Sequence, residues 1–282
     1  MPTVQTNDIE TYYELRGDGP PIVFIHGALA DHTAADQQLE VFSDAYTAIA
    51  YDIRGHRKTT NPHNESYSID LLVEDLYEFI TARGLDRPVL CGVSMGGMIA
   101  QVYASRYPNR LSGLVLADTF TPVFVNRRDR IERTVLMNTL ILLLRLVGYN
   151  RAKGLMMWFG RKLDGDNTTS LRVEVFPDMD TAAAVNALQA VTSFHKVDID
   201  FASITVPTLI LYGEYESSVI SRHAPTLAAE IPSATVQEVP NAGHASPWDN
   251  SEFFNGAIED FLAQIARSPG EESGPPVGPS GK

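Results

Sequence analysis

Short runs of uninterrupted apolar residues recur through the first half of the chain and again near its end. Residues 22–25 (Ile-Val-Phe-Ile), 46–51, 87–91 and 111–117 show little alternation with polar positions. Such runs belong to strands covered on both faces, which predicts a parallel sheet between layers of helix. Amphipathic spacing between them predicts helices over 34–42, over 69–83 with Gly84 as the stop, and over 98–107 with Pro108 beyond. Ahead of all of these, 9–15 reads as a strand that closes on the turn Arg16-Gly17-Asp18-Gly19-Pro20-Pro21.

From about Phe120 the alternation of strand and helix fails. Up to about Lys196 the chain is rich in Leu, Met, Phe and Arg at helical spacing, including Met156-Met157-Trp158-Phe159 and residues 182–188. The strand pattern resumes at 208–212 and 235–239, and a last amphipathic helix is expected over 251–266. The organisation implied is a discontinuous α/β core of 1–119 and 197–267 with a helical cap, 120–196, inserted into it. The Pro/Gly-rich stretch 268–282 lacks core-forming residues and is expected to be disordered.

Charge narrows the partners. The 282 residues carry 22 Lys+Arg against 35 Asp+Glu, a net charge of −13, which predicts repulsion from nucleic-acid phosphates and from anionic lipid. The same acidity suits solubility and leaves a halophilic source open. Cys91 has no partner for an internal disulfide and ends an apolar strand, so it reads as a core residue. A start without a basic and apolar leader leads to a cytoplasmic expectation. The run 140–147 contains Arg145 and is far short of the roughly 20 residues that span a bilayer, so it reads as a helix of a hydrophobic lid. Nothing along the chain sets the oligomeric state.

Candidate chemistry starts at Gly92-Val93-Ser94-Met95-Gly96, which stands between the strand at 87–91 and the helix at 98–107. A serine on so sharp a turn needs small neighbours two residues away on either side, and Gly92 and Gly96 supply them. The turn exposes Ser94 Oγ and brings the Met95 N–H to the start of a helix, where an oxyanion is stabilised. A serine hydroxyl is a poor nucleophile at neutral pH, so it requires a base and a group to orient that base. Downstream, His244 lies in Asn241-Ala242-Gly243-His244, and Gly213-Glu214-Tyr215-Glu216 follows the strand ending at Tyr212.

With His26-Gly27-Ala28-Leu29 after the strand at 22–25, these four motifs in order make the chain resemble the α/β-hydrolase superfamily. Together with Tyr51-Asp52-Ile53-Arg54-Gly55-His56, they resemble its branch of small carboxylesterases, cofactor-free haloperoxidases and 3-oxoadipate enol-lactonases. The resemblance covers nearly everything except 268–282. It implies an eight-stranded, mostly parallel sheet, a helical cap over the active site, and hydrolysis of a small ester or lactone through an acyl-serine. No metal or organic cofactor is expected. Carried across, Ser94 is the nucleophile, His244 the general base, and the N–H groups of Met95 and Ala28, or Leu29 if the register shifts by one, form the oxyanion hole. His26 reads as a brace of its loop, and Asp52, Arg54 and His56 as residues that knit the loop beside the hole. His32, His63, His195 and His223 read as solvent-facing or cap residues.

Two departures stand out. Relatives usually carry aspartate where this chain has Glu216; a glutamate can still accept the Nδ1–H of His244, so Glu216 is the expected acid, with Asp118 at the end of the strand at 114–117 as the rival and Glu214 behind it. Relatives also commonly have glycine after the histidine where this chain has Arg57. Serine at 94 argues against dehalogenase or epoxide-hydrolase chemistry, which needs a carboxylate nucleophile. The same triad would serve C–C bond hydrolysis or perhydrolysis, and with a misplaced acid the scaffold would serve as a ligand receptor.

Overall fold

The computed structural model describes residues 2–60, 66–155 and 176–267. Eight strands form one sheet in the order β1-β2-β4-β3-β5-β6-β7-β8. They are β1 (Thr3–Thr6), β2 (Ile9–Arg16), β3 (Pro21–Ile25), β4 (Thr47–Tyr51), β5 (Val89–Val93), β6 (Gly113–Ala117), β7 (Thr208–Gly213) and β8 (Ala234–Val239). The first two pair antiparallel, β2 also pairs antiparallel with β4, and every pairing from β4 onward is parallel.

The apolar runs are buried on both sides, as their lack of alternation requires. Val23, Ile49, Leu90 and Leu114 face one helical layer, while Ile22, Ala48, Val89 and Val115 face the other. Each large aliphatic side chain buried this way contributes about 1.5–3 kcal/mol. Helices α1 (Asp36–Phe42), α2 (Ile69–Ala82) and α3 (Met95–Arg106) occupy the crossovers between strands. The Ser68 hydroxyl caps α2 by accepting from Leu71 N at 3.2 Å, and Gly84 ends it with φ of 62°.

Between β6 and β7 the described residues are helical or irregular. Helix α4 (Arg127–Val147), the helical residues 149–155 and α5 (Thr181–Ser193) pack together through Ile141, Leu144, Tyr149, Ala183, Ala184 and Leu188. After β7 come α6 (Ala224–Glu230), β8 and the long α7 (Ser251–Arg267), whose Phe254, Ile258 and Phe261 are buried. Met156 to Phe159, His63 and the stretch 268–282, singled out in the sequence, lie outside the described residues.

Candidate active site at the carboxyl ends of the strands

The turn from β5 into α3 is tighter than the sequence spacing alone suggests, because α3 begins at Met95 rather than at Met98. Ser94 takes φ of 55° and ψ of −114°, a conformation that L-residues avoid. It persists because the surroundings leave no alternative. A Cβ on Gly92 would lie 2.3 Å from Gly96 O, and one on Gly96 would lie 2.0 Å from Ile25 O. Ser94 N donates to Ala117 O at 2.9 Å, and Thr119 Oγ1 donates to Ser94 O at 2.8 Å. The strained residue is thus tied to β6 by its N–H and to the segment just beyond β6 by its carbonyl.

His244 sits on the loop after β8, with Nε2 3.2 Å from Ser94 Oγ. Its Nδ1 stands 2.6 Å from Glu216 Oε2. Glu216 leaves the end of β7 through a turn in which its N–H donates to Gly213 O at 3.0 Å, and its second carboxylate oxygen accepts from Ser217 N at 2.6 Å. The longer glutamate side chain is accommodated without exposure, at 2%. Burial works to lower the His244 pKa, but the facing Glu216 carboxylate outweighs it and lifts the imidazole to about 9. The pair sits at the protein surface, with 44% of the His244 side chain in contact with solvent.

The rival acids are engaged elsewhere. Asp118, also at positive φ (46°), is fully buried and accepts from Gly213 N at 3.2 Å, Ser246 N at 3.1 Å and Ser246 Oγ at 2.7 Å. Burial pushes its pKa up to about 7 against the pull of His244 and of these donors. Glu214 turns to Asn241, accepting its N–H at 2.9 Å.

Beside Ser94, the loop after β3 is braced from beneath. His26 Nε2 accepts from Ile53 N at 3.0 Å, so Nδ1 is the protonated nitrogen and donates to Gly27 O at 2.8 Å. Its burial, helped by the neighbouring His56, lowers its pKa to about 4, and the ring stays neutral. His56 Nε2 lies 2.8 Å from Ala28 O and fixes the Ala28–Leu29 peptide of this loop. Arg54 reaches Asp75 and Asp8 at 2.7 Å each, and Asp52 accepts from His32 N at 2.9 Å and Lys58 N at 3.1 Å. Met95 opens α3, where N–H groups have no intrahelical acceptor.

Two histidines differ from their sequence reading. His32 is buried rather than solvent-facing, with Nδ1 2.7 Å from Asp52 and Nε2 3.3 Å from Glu14. Burial opposes its protonation, but the flanking carboxylates win and its pKa is raised. His223 is also buried, in the core-side contact to α4, 3.0 Å from Thr121 Oγ1 and 3.3 Å from Asp129. Their partners stand at least 18 residues away in sequence for His32 and at least 94 for His223, so no local pattern marks them. His195 is exposed as expected, and Cys91 is buried as expected.

A cavity of about 390 Å³ opens onto Ser94 and His244. On one side it is walled by Leu136, Met137 and Leu140 of α4 and Leu188 and Val191 of α5; on the other it runs down past Ala35, Gln38, Ala50, Cys91 and Phe254. An alcohol, an imidazole and a carboxylate in series at the mouth of an apolar cavity can activate an oxygen nucleophile. Among the described residues one set combines metal-ligating types, Asp31, His32 and Asp52, and its atoms are already spent on one another, on Thr33 and on Arg57.

The sequence model of the alpha/beta hydrolase fold family matches residues 20–251. The chain belongs to that family. It is an enzyme of the α/β-hydrolase class, and the superfamily and branch suggested by the motifs agree with its relatives. A non-heme chloroperoxidase of Kitasatospora aureofaciens is 29% identical, over 93% of this chain and 99% of that protein. 3-Oxoadipate enol-lactonase 2 of Acinetobacter baylyi is 23% identical, over 93% of this chain and 97% of its own. Among solved structures, a thermophilic esterase from Thermogutta terrifontis superposes with a TM-score of 0.74 at 23% identity, covering 93% of this chain and 98% of that one. No described helix is long and apolar enough to cross a membrane.

Proposed function

We propose that this hydrolase cleaves carboxylic esters or lactones through an acyl-serine intermediate. Ser94 is the nucleophile, His244 the general base, Glu216 the acid that orients it, and the N–H groups of Met95 and Ala28 the oxyanion hole. The described residues of the inserted segment 120–196, chiefly α4 and α5, act as the cap that closes the cavity. The observation that carries this reading is the unbroken series Ser94 Oγ, His244 Nε2 and Nδ1, Glu216 Oε2, at 3.2 and 2.6 Å.

In the first half-reaction His244 takes the Ser94 proton as Oγ attacks the carbonyl carbon, and the carbonyl oxygen becomes an oxyanion beside Met95 and Ala28. Collapse expels the alkoxide, which leaves with the proton from His244; in a lactone it stays tethered to the acyl chain. Water then gives its proton to His244, attacks the acyl carbon and releases the acid with Ser94 restored. Glu216 keeps the Nδ1 proton in place and stabilises the imidazolium in both halves. A carboxylate nucleophile, which an alkyl-enzyme route requires, is missing from position 94.

The test is labelling by a fluorophosphonate. Covalent modification of the native chain, lost in Ser94→Ala, is the expected result. A folded chain that binds apolar esters but neither reacts with the probe nor turns them over is instead a ligand receptor.

A further inference from the structure

We propose that the outward face of α4 is a docking surface for an anionic lipid bilayer, from which amphiphilic esters enter the cavity. This deepens the ester-hydrolase reading and rests on it. Helix α4 has an inner and an outer face. On the inner one Ile141 and Leu144 are buried against α5 while Met137 and Leu140 line the cavity; the outer face is in water although it carries large aliphatic residues. On that face Ile131, Val135, Leu142 and Leu146 are 52, 60, 57 and 73% exposed. At about 100° per residue these four fall within an arc of about 60°. Scattered exposed aliphatics are ordinary, but four aligned along one helix, with Arg128 in the same arc and Asn138 beside it, mark an interaction surface.

Charge selects the occupant. From Arg127 to Lys153 the chain has seven Lys/Arg and only two Asp/Glu, the reverse of its overall balance of 22 to 35. Arg127 and Arg145 flank the stripe on one side and are exposed, as are Arg128, Arg130 and Arg151. The repulsion expected from a net charge of −13 does not reach this face intact, because charges beyond about 8 Å are screened at physiological salt. An apolar stripe edged by guanidinium groups is the pattern of a helix lying in a headgroup layer. A second copy fits poorly, since a twofold contact through α4 would set these arginines against their own equivalents. The stripe also lies close to the site: Leu136, next in sequence to Val135 and 44% exposed, lines the cavity as well. A chain leaving the bilayer at α4 would meet that cavity wall first.

The test is flotation of the full chain with vesicles of phosphatidylcholine alone and of phosphatidylcholine mixed with phosphatidylglycerol, alongside turnover of water-soluble p-nitrophenyl acetate. Binding is expected on the anionic vesicles, to weaken with added salt, and to persist in Ser94→Ala. Arg127→Gln with Arg145→Gln should lower that binding about 30-fold, at about five-fold per arginine. Leu142→Ser with Leu146→Ser should lower it at least about ten-fold. Both pairs should turn over the soluble ester as the parent does, which shows them folded. Equal binding to both vesicle types, binding to neither, or a dimer in sedimentation that the serine pair dissolves would each overturn the proposal. The soluble ester reports on the hydrolase reading separately from all of these.

Discussion

Asp118 Oδ2 accepts the Ser246 hydroxyl at 2.7 Å and thereby ties the end of β6 to the loop that carries His244. The same carboxylate accepts from Gly213 N at the root of the Glu216 turn. Asp118 is thus placed to hold two neighbouring loops at their spacing, while Glu216 touches the imidazole itself. The two carboxylates should respond differently to neutralisation. Glu216→Gln is expected to lower kcat by about 10³–10⁴-fold, because the Nδ1 proton loses its acceptor charge. Asp118→Asn should keep kcat within about three-fold and cost about 1–3 kcal/mol of stability, since an amide nitrogen would face a donor. Steady-state kinetics and denaturant unfolding of both variants check this, and the reverse ranking of kcat would move the acid to Asp118.

The pH profile should carry the mark of Glu216. General-base catalysis needs His244 neutral, and its pKa is raised, so kcat/KM for a neutral ester should climb with pH and level off above an inflection between 6.5 and 9. In Glu216→Gln the lifting charge is gone and the residual inflection should fall toward the ordinary imidazole value. A profile whose inflection is the same in both chains would detach it from this pair.

The turn at Ser94 should tolerate no side chain at its pinch point. Gly96→Ala would drive a Cβ into Ile25 O, a backbone atom that cannot move without disturbing β3. A loss of about 3 kcal/mol or more is expected in unfolding experiments, with turnover abolished in whatever folds. Native-like stability in this variant would show that the turn can open.

Chain-length preference should be set by the two walls of the cavity. Ala35→Phe fills the arm that runs toward Cys91 and Phe254, while Leu140→Trp narrows the arm beneath α5. One of the two should shift the optimum in a graded series of p-nitrophenyl esters to shorter acyl chains, with acetate turnover held within about three-fold. An unchanged optimum in both would place the acyl group outside this cavity.

Much of this architecture was legible in residue order, and the exceptions have a common cause. Parallel strands revealed themselves because burial on both faces leaves no polar position to alternate with. The turn at Ser94 was equally plain, since the glycines it demands lie within two residues of it. By contrast, residue order only ranks Glu216 ahead of Asp118, because which of two adjacent loop roots faces His244 is a matter of sheet register across β6 and β7. The burial of His32 and His223 likewise rests on carboxylates supplied from distant segments. The capping strand β1 was missed because Thr3–Thr6 is mostly exposed and polar.

The proposed reacting groups come from the ends of β5, β7 and β8, and 150 residues separate Ser94 from His244. A fragment lacking either segment would contain only inert side chains. Catalytic turnover would therefore be a proofreader of chain completeness: during synthesis it would switch on only after the last strand had emerged and docked. On heating it would vanish with the first strand to leave.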